Sequence, residues 1–215
     1  MNAQYLRVSE IFYSIQGESA TVGIPTTFIR LTGCPLRCTY CDTEYAFSGG
    51  DRVSVENIIA RTAGFPTRYV TVTGGEPLAQ KNCLVLLDKL IEKGYSVSLE
   101  TGGAMDVSSV NQKVVKVMDL KTPSSGEQHR NRYENIQYLE KKDQVKFVIG
   151  TRDDYLWARD TLQQFALDER CGVLFSPVTG RMDASRLADS ILEDGLPVRF
   201  QIQLHKVLWG DVAGK

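Results

Sequence analysis

No apolar run in these 215 residues approaches the about 18 needed to cross a bilayer, so no membrane association is expected. Basic clusters are equally scarce. No run of Lys and Arg exceeds two residues and the formal net charge is −1, which gives no general attraction to nucleic acid. The opening stretch from Met1 to Arg7 has no apolar signal core and no small-residue cleavage site, so a cytoplasmic location is expected. Histidine is nearly absent, and no second Cys or His pair stands at metal-ligand spacing. There is no tandem repeat, low-complexity tract or linker, so residues 1–215 read as a single domain able to bury a core without disulfides.

What the chain does have is crowded cysteine. Of 5 cysteines, an odd number, three fall in Gly33-Cys34-Pro35-Leu36-Arg37-Cys38-Thr39-Tyr40-Cys41-Asp42-Thr43. A secreted disulfide framework fits that poorly, and a metal site in a reducing compartment fits it well. CxxxCxxC puts three thiolates on one tight loop with no adjacent fourth. An iron–sulfur cube with three protein ligands keeps one iron open to a small molecule, whereas a structural zinc wants a fourth ligand. The zinc alternative would need Cys83, Cys171, His129 or His205 to complete it. Cys83 and Cys171 each sit beside apolar residues and read as small buried hydrophobes.

Short β-rich runs alternate with amphipathic helices. Strands are predicted at Thr26–Leu31, Tyr69–Thr73, Ser96–Glu100, Val114–Leu120, Val145–Ile149 and Val173–Ser176, with Val198–Leu204 a further candidate. Helices are predicted over Val55–Thr62 behind Ser54, along the Leu84–Ile91 stripe, after Asp153, and after Asp183. Tyr133–Leu139 and Asp106–Gln112 are weaker helical patterns. Alternation means an α/β fold with a parallel sheet and right-handed crossovers. With about eight units and about 250 residues in a full barrel, roughly six units here imply an incomplete (β/α)6-type barrel, open on one side.

The unusual motifs fall at the carboxyl ends of these strands, where such folds carry chemistry. Thr73-Gly74-Gly75-Glu76-Pro77 offers close backbone approach and, in Glu76, an acceptor for an ammonium; an ordinary strand-to-helix turn is the alternative. Arg30, among apolar and Thr neighbours, requires a partner if buried. That partner is a ligand carboxylate, or else Glu10 or Glu18. Asp42-Thr43 supplies hard oxygens suited to Mg²⁺, or a helix cap.

Taken in order, Ile11-to-Glu18 (IFYSIQGE), G-I-P-x-x-F-I-R-L-x-G-C, CxxxCxYCDT, TGGEP, ETGG, DLKTPSSG and Leu204-His205-Lys206 strongly resemble the 7-carboxy-7-deazaguanine synthase family of radical S-adenosylmethionine enzymes. The resemblance runs from Ile11 to about Trp209. It implies a 4Fe–4S cluster on Cys34, Cys38 and Cys41, whose open iron binds S-adenosylmethionine and allows its reductive cleavage to a 5′-deoxyadenosyl radical. It implies conversion of 6-carboxy-5,6,7,8-tetrahydropterin to 7-carboxy-7-deazaguanine with loss of ammonia, on the route to queuosine. Radical abstraction of hydrogen at the carboxylated carbon would begin the ring contraction. Carried over by position, Ile15, Gln16, Gly17, Arg30 and Thr73 bind substrate, with Arg30 and Glu18 the catalytic candidates. Tyr40, Cys41, Asp42, Gly75, Glu76, Glu100, Lys121, Ser124 and Ser176 bind S-adenosylmethionine, and Thr43 ligates Mg²⁺. A homodimer and a flavodoxin-type electron donor are also implied. The tail Gly210–Lys215 departs from relatives that carry proline there. The alternatives are another radical enzyme, such as a glycyl-radical activase, or a zinc-stabilised binding module.

Overall fold

In the computed structural model the described residues are 4–210 and 212–214. Met1–Ala3, Asp211 and Lys215 lie outside them, so part of the opening stretch and part of the divergent tail carry no structural account. Nine strands form one sheet in the order β3-β1-β2-β4-β5-β6-β7-β8-β9. The strands are β1 (Tyr5–Ile15), β2 (Pro25–Leu31), β3 (Asp51–Ser54), β4 (Tyr69–Gly74), β5 (Ser96–Thr101), β6 (Val115–Asp119), β7 (Gln144–Ile149), β8 (Gly172–Pro177) and β9 (Arg199–Phe200). From β2 to β9 every neighbour is parallel. β1 and β3 are antiparallel additions at one side. The expected α/β architecture stands, with the sheet open between its edge strands β3 and β9.

Six α-helices accompany the sheet: α1 (Val55–Thr62), α2 (Cys83–Glu92), α3 (Arg152–Gln164), α4 (Leu167–Arg170), α5 (Ala184–Glu193) and α6 (Leu204–Trp209). Ser54 caps α1 and Asp183 caps α5, each accepting first-turn N–H groups. The cap of α3 is Thr151, closed into a box by Asp154, and not Asp153. Two helical expectations fail. Tyr133–Tyr138 is a 3₁₀ helix, and residues 106–112 form turns. The candidate strand Val198–Leu204 splits into the two-residue β9 and the start of α6.

Strand alternation divides the sheet into two unlike faces. Ile29, Leu31, Val70, Val72, Val97 and Leu99 pack under α1 and α2 in one apolar cluster. Met118, Val145, Phe147, Val173 and Phe175 pack under α3, α4 and α5 in a second. The intervening residues face the other way. Arg30, Thr73, Glu100, Asp119 and Lys146 line a concavity, one from each successive strand. A polar row shielded on the face away from α1–α5 would cost desolvation with no return unless it held a ligand or paired internally.

Candidate active site

The concavity encloses about 690 Å³ at the carboxyl ends of the strands. Its lining includes Ile15, Gln16, Gly17, Glu18, Arg30, Thr73, Gly75, Glu100 and Lys121. It also takes in Cys34, Cys38, Tyr40, Cys41, Asp42 and Thr43. Residues spread across more than a hundred sequence positions thus converge on one cavity.

The cysteine loop leaves β2 and is fastened from several directions. Gly33 N–H donates to Ala46 O at 2.8 Å, and Glu76 N–H donates to Gly33 O at 2.7 Å. Thr39 donates through its N–H to Ser125 O and through its hydroxyl to Ser124 O. Arg37 turns back on the carbonyls of Cys34 and Leu36, and Arg181 reaches across to Thr39 O at 2.7 Å. Gly75 is required beside it: a Cβ there would stand 2.4 Å from Gly33 O and 2.9 Å from the Cys34 Cβ. Burial pushes the Cys34 and Cys38 thiols up, while the Lys121 ammonium favours their thiolates.

All three cysteines are half-buried at the rim, close enough for their charges to influence one another. The donor set fits an iron–sulfur cube held by three thiolates. Cys83 and Cys171 are buried in separate apolar clusters, where burial raises both thiols and leaves neither near the loop. Among the described residues no three His, Cys, Asp or Glu side chains close on a point that would hold a single metal ion. The structure assembles no tetrahedral zinc set.

Three expected cofactor residues lie off the cavity lining. Glu76 is fully buried, and its carboxylate accepts from Leu78 N–H, Gly102 N–H (2.7 Å) and the Thr101 hydroxyl. Those bonds tie the end of β4 to the end of β5. Ser124 gives both N–H and hydroxyl to Asp154, a fully buried carboxylate that also accepts from Gly150 and Thr151. Ser176 is buried within β8. Glu100 does line the cavity, where it accepts from Gln16 Nε2 and from the Thr73 hydroxyl at 2.9 Å. Burial raises its pKa.

Arg30 makes the salt bridge to Glu10 that the sequence offered as one of its readings. Its Nε donates to Glu10 at 2.7 Å, and its guanidinium stands 5.9 Å from the ring centres of Phe12 and Tyr45. No η-nitrogen bond occurs among the described residues, so the end of the fork is available to a ligand in the cavity that Arg30 lines. Phe12 stacks on Phe28 at 4.9 Å beside it. Thr43 precedes the 3₁₀ helix Glu44–Phe47 without capping it, which removes the cap alternative and leaves its hydroxyl 3.8 Å from Cys41 Sγ.

Sequence reasoning passed over the charged wall. Lys146 pairs with Glu18 at 2.5 Å and Asp119 at 3.4 Å, and Asp119 pairs with Lys121 at 2.7 Å. Burial disfavours the charges of Asp119, Lys121 and Lys146. Their mutual attraction prevails for Asp119, whose carboxyl is held low, and for both lysines, whose ammoniums are held high. Gln203 and Lys206 from the α6 segment meet Asp42, and Gln203 also meets Glu18. His205 packs where Gly17 lacks a side chain. The signal was present: Lys146 is the charged residue in an otherwise apolar β7 run, a position read only as strand.

A family model described as the radical SAM superfamily matches residues 28–119. The chain is 42% identical to the 7-carboxy-7-deazaguanine synthase of Koribacter versatilis, covering 95% of this chain and 97% of that one. It is 41% identical to the enzyme of the same name from Chlorobaculum tepidum, covering 95% and 94%. The crystal structure of QueE from Escherichia coli has the same fold, with a TM-score of 0.78 over 94% of this chain and 95% of that one at 22% identity.

Proposed function

The chain belongs to the 7-carboxy-7-deazaguanine synthase family of radical S-adenosylmethionine enzymes, and from that membership we propose how its residues divide the work. The reaction converts 6-carboxy-5,6,7,8-tetrahydropterin to 7-carboxy-7-deazaguanine with release of ammonia, in queuosine biosynthesis. Bound at Cys34, Cys38 and Cys41, the 4Fe–4S cluster and S-adenosylmethionine supply the one-electron chemistry that activates an unreactive C–H bond.

The protein supplies position and a dry, charged wall. Arg30 takes the substrate carboxylate on its free η nitrogens, and Phe12 stacked on Phe28 bounds the same corner. Thr73, Glu100 and Gln16 form one hydrogen-bonded group beneath the ring, with Ile15 and Gly17 presenting backbone at its edge. Glu18, paired with Lys146 Nζ, accepts from a substrate N–H, and Lys146 holds its proton where the amine departs. Tyr40, Cys41, Asp42, Gly75 and Lys121 line the S-adenosylmethionine side, and the Thr43 hydroxyl serves Mg²⁺. A homodimer, a flavodoxin-type electron donor and a cytoplasmic location complete the reading.

The observation that carries it is a three-cysteine rim on the same cavity as an arginine fork. Anaerobically reconstituted protein, given the carboxytetrahydropterin and a reductant, is expected to form 5′-deoxyadenosine and the deazapurine ultraviolet band. Arg30→Ala should raise KM strongly and lower turnover. Stoichiometric zinc in a colourless protein, or no 5′-deoxyadenosine, would sink the reading.

A further inference from the structure

We infer that Glu10 is a positioning residue for the anion clamp, placed by a β-bulge at Ser9 so that its carboxylate orients the Arg30 guanidinium and latches Tyr45 over the same corner. The inference rests on Arg30 being the carboxylate clamp.

The ladder between β1 and β2 pairs Val8 with Leu31 and then Glu10 with Arg30. One extra residue, Ser9, therefore sits in β1. Directly opposed residues in an antiparallel pair share a face. Without the bulge Arg30 would oppose Ser9, and Glu10 would follow Leu6 and Val8 into the apolar cluster under α1 and α2. With it, Ile11 packs against that cluster, and Glu10 and Phe12 turn to the cavity side with Arg30 and Phe28. The insertion changes which side of the sheet the second half of β1 presents.

What Glu10 does there is specific. Its Oε1 accepts from Arg30 Nε at 2.7 Å and from the Tyr45 hydroxyl at 2.8 Å. Both side chains are largely shielded, Arg30 at 15% and Glu10 at 21% exposure. Binding Nε, and not the end of the fork, fixes the plane of the guanidinium and leaves two parallel N–H groups for a carboxylate. Tyr45 lies on the 3₁₀ helix directly after Thr43, so the same carboxylate steadies the turn that carries the Mg²⁺ candidate.

The test is equilibrium binding of two air-stable probes, 6-carboxypterin and pterin, to cluster-loaded full-length protein, read by ligand fluorescence. Wild-type protein is expected to favour the carboxylated probe. Glu10→Ala should shrink that preference about tenfold, the usual worth of a hydrogen bond to a charged group, with pterin affinity unchanged. Glu10→Gln keeps a neutral acceptor for Nε and should recover part of the preference, and Tyr45→Phe should move it in the same direction by less. An unchanged preference in Glu10→Ala, or equal loss for both probes in a folded variant, overturns the inference. A wild-type protein indifferent to the carboxylate overturns the Arg30 reading beneath it.

Discussion

Lys146→Met removes the cation at the centre of the cavity wall. Its ammonium stands 2.5 Å from Glu18 and 3.4 Å from Asp119, with the three side chains between 12% and 18% exposed. Burial opposes its charge, yet Asp119, Glu18 and Glu100 together hold its pKa well above that of an ordinary lysine. At an effective dielectric of about 20, a unit pair about 4 Å apart gains ~4 kcal/mol. Deleting one member of a shielded pair costs about 3–5 kcal/mol because the remaining charge stays buried. Asp119 keeps Lys121 at 2.7 Å, so the lower end applies, about 3 kcal/mol. For a domain of this size that lowers Tm by roughly 6–12 °C. Urea unfolding of cluster-free protein is the assay, since a bound cluster spoils two-state behaviour. Lys146→Arg, which keeps the charge, should recover more than half the loss. A loss below about 1 kcal/mol for Lys146→Met would show the pair to be screened like an exterior ion pair and would refute the wall as a shielded network.

Gly75→Ala forces a methyl against Gly33 O and Cys34, so iron and sulfide per chain should fall well below wild type after identical reconstitution. Full cluster content would mean the loop yields. His205 is held below the ordinary imidazole pKa of 6.5, chiefly by burial. The unfolded chain therefore binds more protons between that lowered value and 6.5, and stability falls as pH drops through this window. His205→Gln should flatten the loss in melts between about pH 7 and 5; an unaltered slope would assign the titration elsewhere.

Six strands were legible in the sequence because each is a short β-rich run bounded by turn formers, and the cysteine loop because its spacing is rarely structural. β1 was not. Its alternation holds through Leu6 and Val8 and then breaks at Ser9, so a reader counting by twos loses the strand where the bulge inserts a residue. β9 was found only inside the longer candidate Val198–Leu204, because two residues carry too little pattern to set its bounds. Among site residues, motif positions placed the rim correctly but could not say which way a carboxylate turns. Glu76 and Ser124 stand in the right motifs with their polar atoms spent on the scaffold. The charged wall was hidden for another reason. Glu18 and Lys146 are far apart in the chain and follow or lie on strands that are not neighbours in the sheet, so they meet only across the cavity.

The bonds that fasten the cysteine loop, from Ala46, Ser124, Ser125, Arg37 and Arg181, run from polypeptide to polypeptide. The spacing of the three cysteines therefore depends on segments far away in the sequence, and a substitution at Arg181 or near Ser125 can disturb it without touching the loop itself.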